Sequence, residues 1–297
     1  MFNSPLTENA AVGFEYGYNV QEPGRLTIWE AQYGDFINAA QVMIDEFLTA
    51  ARAKWGQTPS LVLLLPHGFE GQGPDHSSAR PERFLQLAAE MNLRLANCTT
   101  AAQHFHLLRR QAALLKTDPL PLVVLTPKSL LRHPATRSSL RDLAEGQWQP
   151  VLDDTRARRR PEEVQRLILC SGKVYVDLAT SPHREAHAGI AIARLEQLYP
   201  FPADELAPIL DGLPKLQEVV WLQEEPENMG AWNFLQPRLA KVIKGRWPLR
   251  YIGRPPNSSP AEGSAAWHAA NQGALVEHAY DLESRLTEDV VIVSGGN

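Results

Sequence analysis

Short, wholly apolar runs alternate along this chain with longer stretches in which apolar residues recur every three or four positions. Residues 26–29 (LTIW) predict a buried strand, and residues 37–52 (INAAQVMIDEFLTAAR) carry the helical spacing. Residues 61–65 (LVLLL) predict a second strand, followed by a helix over 81–91 with Pro81 at its first position and Glu82 in its first turn. A third helix is expected over 101–115, with Thr99 and Thr100 as caps, and then a strand over 120–125 that Pro127 stops. Strands that alternate with helices of these lengths imply a parallel sheet covered on both faces, because crossover helices lie on those faces.

The alternation lapses into polar sequence between about residues 132 and 161, which include the basic cluster RARRR at 156–160. A charge block of this kind reads as a solvated face. The pattern then resumes, with strands expected at 164–170, 189–194, 218–222 and 249–252. The fold class that follows is α/β with two units, each a mostly parallel sheet flanked by helices. The expected division is 1–134, a linker over 135–163, and 164–297.

Composition narrows the partners. A chain of 297 residues with a net charge of -5 offers no electrostatic case for nucleic acid or an anionic membrane surface. Cys98 and Cys170 are too few and too far apart for a disulfide framework or a metal site, and are expected to pack as small hydrophobes in a reducing compartment. No apolar run approaches the roughly 20 residues of a membrane span. The first residues lack the layout of a signal peptide, so the cytoplasm is expected, or the mitochondrial matrix in a eukaryote.

Candidate chemistry gathers where strands end. The run PHGFEGQGPDHSSAR, residues 66–80, follows an apolar strand and precedes a helix, the usual place for a ligand in a parallel sheet. Its glycines permit close backbone approach, while His67, His76, Ser77 and Arg80 bring donors and proton-transfer groups. Arg80 is read as an anchor to the following helix. Neither GxxxxGK[ST] nor GxGxxG is present, so phosphate-loop and dinucleotide readings fail on spacing. At the end of the first strand, Glu30, Gln32, Tyr33, Asp35 and Phe36 combine carboxylates with aromatics that either stack on a flat ring or belong to the core. Glu8, among apolar neighbours at a helix start, is either a proton-relay group or a carboxylate that complements the helix dipole.

Nine blocks, among them NSPLTENAAVGFEYGY, WEAQYGDFINAAQVMIDEF, LPHGFEGQGPDHSSARPERFLQL, CSGKVYVDL and WLQEEPENMGAW, together give the chain a resemblance from about residue 3 to about residue 268. It resembles the C-terminal half of the E1 component of 2-oxoglutarate dehydrogenases, a thiamine-diphosphate-dependent family with a transketolase-like layout. The resemblance implies a pyrimidine-binding domain followed by a transketolase C-terminal domain. It also implies oxidative decarboxylation of 2-oxoglutarate with acyl transfer to a lipoyl E2 component, in a homodimer. By the same resemblance Glu8 would hydrogen-bond N1′ of the aminopyrimidine, and His76 would face the substrate. His67 is a second, weaker histidine candidate, and Gln32, Tyr33 and Phe36 would line the cofactor, with either aromatic stacking on the pyrimidine. Glu224 and Glu225, in QEEPENMGAW, are read as structural or interfacial.

Two departures from the family pattern stand out. NCTTAAQ, residues 97–103, lacks the proline expected before Ala-Gln. The family's GDG motif for Mg²⁺ is also missing, because Gly34-Asp35 is followed by Phe36. Mg²⁺ and a diphosphate need oxygen ligands that this sequence does not clearly supply. The chain is therefore expected to be part of a longer E1 or to be completed by an N-terminal half on another chain. The alternative is a truncated, non-catalytic paralogue that serves as an assembly or regulatory module.

Overall fold

A computed structural model of the chain describes residues 1–282, so the end of the second expected unit, 283–297, lies outside the described residues. The first helix, α1 (Glu8–Gln21), starts where the Thr7 hydroxyl accepts from the Ala10 N–H. It leads into β1 (Ile28–Glu30). The expected helix over 37–52 is mostly helical but not regular, and it is broken by a turn at Thr49 and Ala50. A 3₁₀ turn (Gly34–Ala40) passes into α2 (Gln41–Met43), a π turn (Ile44–Leu48) and α3 (Ala51–Trp55), which Gly56 ends in the left-handed conformation at φ 66°. Both ends of the irregularity have a local cause: the Gly34 N–H is tied to the Pro66 carbonyl, and the Thr49 hydroxyl and N–H both donate to the Ile44 carbonyl.

Next come β2 (Val62–Leu65) and α4 (Pro81–Leu87). The helix stops short of the expected 91 because the Asn92 side chain takes over its end: Nδ2 donates to the Leu87 carbonyl while Oδ1 accepts from the Ala89 N–H. Glu90 and Met91, at φ 53° and 58°, then turn the chain into β3 (Arg94–Asn97), a strand the apolar pattern does not announce. α5 (Ala101–Leu114), capped by Thr100 as expected, precedes β4 (Leu122–Leu125).

Residues 135–163, expected as a linker, carry α6 (Leu140–Glu145) and the short β5 (Val151–Leu152). Beyond them the elements are β6 (Arg166–Cys170), α7 (Lys173–Thr180), α8 (His183–Ala186), β7 (Ile190–Leu195), β8 (Gln197–Tyr199) and α9 (Ala203–Asp211). The last four are β9 (Glu218–Pro226), α10 (Trp232–Ile243), β10 (Leu249–Arg254) and α11 (Ala265–Tyr280).

Two five-stranded sheets result, ordered β1-β2-β4-β3-β8 and β10-β9-β6-β7-β5. Four strands of each run parallel, and each sheet ends on one antiparallel strand, β8 against β3 and β5 against β7. Central strands such as Arg166–Cys170 are buried along their whole length, as expected of a sheet covered on both faces. Cys98 and Cys170 are free and buried, and burial pushes both thiols well above the usual cysteine range, so they behave as small hydrophobes. Among the described residues no helix is long and apolar enough to cross a membrane.

Candidate active site

The carboxyl ends of β1 and β2 lie side by side, since Ile28–Glu30 pairs in register with Val62–Leu64. The loops leaving them are therefore neighbours, and Gly34 sets how close they come. A methyl group there would sit 2.5 Å from the Ala79 Cβ and 2.5 Å from the Pro66 carbonyl oxygen, so only glycine fits. Loop 66–80 is folded tightly on itself: the Gly68 N–H donates to the Ser77 carbonyl (2.9 Å) and the Ser77 hydroxyl to the Gly73 carbonyl (2.7 Å). Gly71 and Gly73, at φ 75° and 86°, make its reversals.

This junction brings Tyr33, Phe36 and His76 together. The His76 ring stands edge-on to Tyr33 at 4.4 Å between centroids and to Phe36 at 5.7 Å. Lys128 Nζ lies 3.8 Å from the Tyr33 ring centroid, a cation–π contact contributed from beyond β4. All three ring-bearing residues are half-buried and leave part of their surface open. Asp35, between the two aromatics, accepts from the Ser78 N–H at 3.1 Å through Oδ1, while Oδ2 is buried with no hydrogen-bond partner. Burial raises the Asp35 pKa, against the backbone N–H groups and His67 that favour its charge.

His67 belongs to the same loop but points elsewhere. Its ring is buried, with Nδ1 accepting from the Ala79 N–H at 3.1 Å and Nε2 2.9 Å from Glu225 Oε1, on the second sheet. Burial opposes charge on this ring, but the Glu225 hydrogen bond and the carboxylates of Glu225, Glu224 and Glu82 outweigh it and raise the pKa above the ordinary imidazole value. Glu225 is half-buried, and although desolvation works against its charge, its carboxyl is held below the usual range by His67 and Arg254. Arg80 donates from Nε to Glu82 Oε1 at 2.7 Å, the helix anchor expected of it, and Glu82 Oε2 accepts from the Gly230 N–H at 3.0 Å. Glu224 faces away from the loop, bonded to Lys173 Nζ (2.6 Å) and Gln272 Nε2 (2.8 Å).

Glu8 occupies the first turn of α1, half-buried, and its side chain makes no hydrogen bond or ion pair with another described residue. Gln32 is exposed, with no side-chain hydrogen bond among the described residues, and Glu30 ends β1. Neither Glu8 nor Gln32 contacts the aromatic group directly through such bonds. Sequence reasoning missed Lys128 and the link from Glu225 to His67. Among the described residues no group of three or more His, Cys, Asp or Glu side chains is placed to hold a metal ion.

Residues 1–134 match the family described as transketolase, pyrimidine binding domain, and residues 137–280 match 2-oxoglutarate dehydrogenase C-terminal. These matches and the two sheets define the class as paired transketolase-like α/β domains. Over 292 residues, 97% of its length, the chain is 52% identical to the 2-oxoglutarate dehydrogenase E1 component of Bacillus cereus (strain AH820), and equally so to that of Bacillus anthracis (strain A0248). It spans 31% of the length of each. The chain belongs to the 2-oxoglutarate dehydrogenase E1 family, of which it represents the C-terminal part.

Proposed function

We propose that this chain supplies the pyrimidine-binding and C-terminal portions of an E1 that decarboxylates 2-oxoglutarate with thiamine diphosphate and passes the acyl group to a lipoyl E2 component. The observation that carries the reading is the Tyr33–Phe36–His76 group, half-open at paired strand ends, in a chain 52% identical to E1 components over 97% of its length. An aminopyrimidine fits such a place: it is flat, and aromatic rings and a cation–π-polarised tyrosine offer it a face. The half-buried, unpartnered carboxylate of Glu8 fits a ring nitrogen that must gain and lose a proton. Thiamine diphosphate, when bound, supplies the electron sink for loss of carbon dioxide. The chain's share is to orient the pyrimidine with Tyr33 or Phe36, to exchange a proton at N1′ through Glu8, and to set His76 against substrate and acyl acceptor. Gln32, exposed beside Tyr33, would reach the cofactor's rim. His67, with both ring nitrogens engaged, would serve the site through the loop's shape.

The Mg²⁺ and diphosphate ligands belong, in this reading, to the part of the E1 polypeptide that the chain does not span. The domain division 1–134, 135–163 and 164–297, a homodimer, and a cytoplasmic setting (the matrix in a eukaryote) complete the proposal. The test is release of carbon dioxide from 2-oxoglutarate by the chain assembled with the remaining segment of the Bacillus cereus relative. Glu8→Gln in that assembly is expected to slow hydrogen–deuterium exchange at C2 of the bound cofactor by roughly 10² to 10⁴. His76→Ala is expected to leave that exchange near wild type and to slow the steps that follow. An assembly that binds the cofactor but releases no carbon dioxide would instead favour the non-catalytic module, and unaltered exchange in Glu8→Gln would make Glu8 a helix-end carboxylate.

A further inference from the structure

The loop that carries His76 is clamped from two sides, and only one clamp comes from its own sheet. On that side Asp35 accepts from the Ser78 N–H. On the other, the segment around the end of β9 makes two contacts: Glu225 with His67, and the Gly230 N–H with Glu82. His67 and Glu225 are 158 residues apart in sequence. Ala79, whose N–H ends on His67 Nδ1, is fully buried, so that donor has no water to fall back on.

The ring can satisfy both neighbours in only one neutral form. With the proton on Nε2, the ring donates to Glu225 and accepts from the Ala79 N–H. With the proton on Nδ1, two donors would face each other at Ala79 while the Nε2 lone pair faced a carboxylate. The first conflict would arise at a fully buried backbone N–H with no water to relieve it. Adding a second proton to form the imidazolium would also cost Ala79 its acceptor. The charged and titratable groups around the ring are Glu225 and Glu224 on β9, Glu82 on α4 and Asp35 after β1, with Arg254 on β10 acting on Glu225.

Glu225 is itself held firmly. Its carbonyl accepts from Tyr251 Oη and from Gln223 Nε2, each at 3.3 Å. Gln223 is fixed in turn, with Oε1 accepting from Trp221 Nε1 and from the Ala231 and Trp232 N–H groups. A group on so rigid a base can dictate the orientation of its partner.

We propose that Glu225 is a positioning residue for the loop that carries His76: it holds His67 with its proton on Nε2, so that Nδ1 accepts from the Ala79 N–H and residues 66–80 keep the shape that sets His76 against Tyr33 and Phe36. The inference rests on the functional reading above for the purpose of His76, but its geometric content does not. It is tested on the chain alone, without cofactor, so that failure of the functional reading leaves the result intact.

The measurement is two-bond ¹H–¹⁵N correlation NMR on ¹⁵N-histidine-labelled chain, with His67 and His76 assigned by their loss in His67→Asn and His76→Asn. Above its titration, wild-type His67 is expected to show the Nε2–H form. Glu225→Gln, whose amide oxygen still accepts, is expected to keep that form while proton affinity at His67 falls roughly tenfold or more. Glu225→Ala is expected to lose the single tautomer and to shift the His76 ring signals as its contacts with Tyr33 and Phe36 loosen, with far-UV circular dichroism unchanged. Glu225→Gln then restores the wild-type His76 signals. An Nδ1–H form in the wild type would overturn the proposal, as would unmoved His76 signals in folded Glu225→Ala. Should Glu225→Ala fail to fold, the Glu225→Gln titration decides, and an unchanged His67 midpoint refutes it.

Discussion

At the scale of single residues, the site depends on what is left out as much as on what reacts. Gly34 has no side chain because the Ala79 Cβ and the Pro66 carbonyl already fill the space, each 2.5 Å from where a methyl group would stand. Those neighbours are a short side chain and backbone, neither of which can swing aside. Gly34→Ala is therefore expected to cost about 1–3 kcal/mol, as overpacking does. The same change should push Tyr33 and Phe36 away from His76. Urea denaturation reads the first effect and aromatic proton shifts of His76 the second; a cost below about 0.5 kcal/mol, the level of a neutral surface change, would show that the two loops are not locked at this point.

At the scale of elements, buried charge decides how strands begin. Arg166 opens β6 fully buried, donating from Nε to Glu218 Oε1 at 2.7 Å and from Nη1 to the carbonyls of Ala279 and Asp281 at 3.0 and 2.8 Å. Glu218 opens β9 and also accepts from Arg250 on β10 at 3.2 Å. Glu218→Ala leaves a guanidinium buried without its carboxylate, which is expected to cost about 3–5 kcal/mol by chemical denaturation. A loss under about 1 kcal/mol, typical of an exposed pair, would mean that solvent reaches Arg166.

A second charged joint links β10 to α11 and has a pH signature. Burial works against ionisation of Glu262, but the His268 ring 3.8 Å from Oε2, the hydrogen bonds that Arg254 and Asn271 donate to Oε1, and the Arg254 charge outweigh it and hold the carboxyl below the usual range. A carboxyl with a depressed native pKa adds stability above its unfolded value, about 4.3, and that stability is lost as the pH falls toward the native value. Glu196 and Glu224, raised by burial, act in the opposite sense, so a comparison of variants isolates Glu262. Urea midpoints from neutral pH down to about pH 3 should fall less steeply in Glu262→Gln than in the wild type, and equal slopes would remove Glu262 from the acid response.

The same elements show what the pattern could and could not announce. Runs such as LVLLL and LPLVVL are wholly apolar because both faces of the strand are covered, and they read directly as strands. β3 reads RLAN, with polar ends that are nevertheless buried: Arg94 is satisfied by Gln111 and Asp118, partners supplied by α5 and the turn before β4. β5 and β8 are too short to form a pattern at all. For the site, Tyr33, Phe36 and His76 stand in two loops legible from turn chemistry at strand ends. Lys128 and Glu225 reach them only through tertiary contacts that no local spacing encodes.

At the scale of the whole molecule, the boundary in the sequence and the boundary in the packing do not coincide. The two family matches meet between residues 134 and 137, yet the first sheet gains its last strand, β8, only after the chain has built most of the second. Glu196, between β7 and β8, is fully buried, and its carboxylate accepts from the Thr99 N–H (2.9 Å) and hydroxyl (2.5 Å). Its carbonyl accepts from the Asn97 N–H at 2.8 Å. The apolar interior follows the same logic: Val12, Leu63 and Leu95 of the first part belong to one continuous cluster with Leu167, Leu195 and Trp221 of the second. Units that share a core and a strand cannot melt separately without exposing both, so the chain is expected to unfold in one cooperative transition by calorimetry, with van't Hoff and calorimetric enthalpies in agreement. Residues 1–134 alone would lack β8, leave β3 as an open edge and expose the shared apolar surface, and should melt lower or aggregate. Two resolved transitions in the whole chain, one of them matched by the isolated segment, would show that the shared core contributes little and that each sheet is stable without the other.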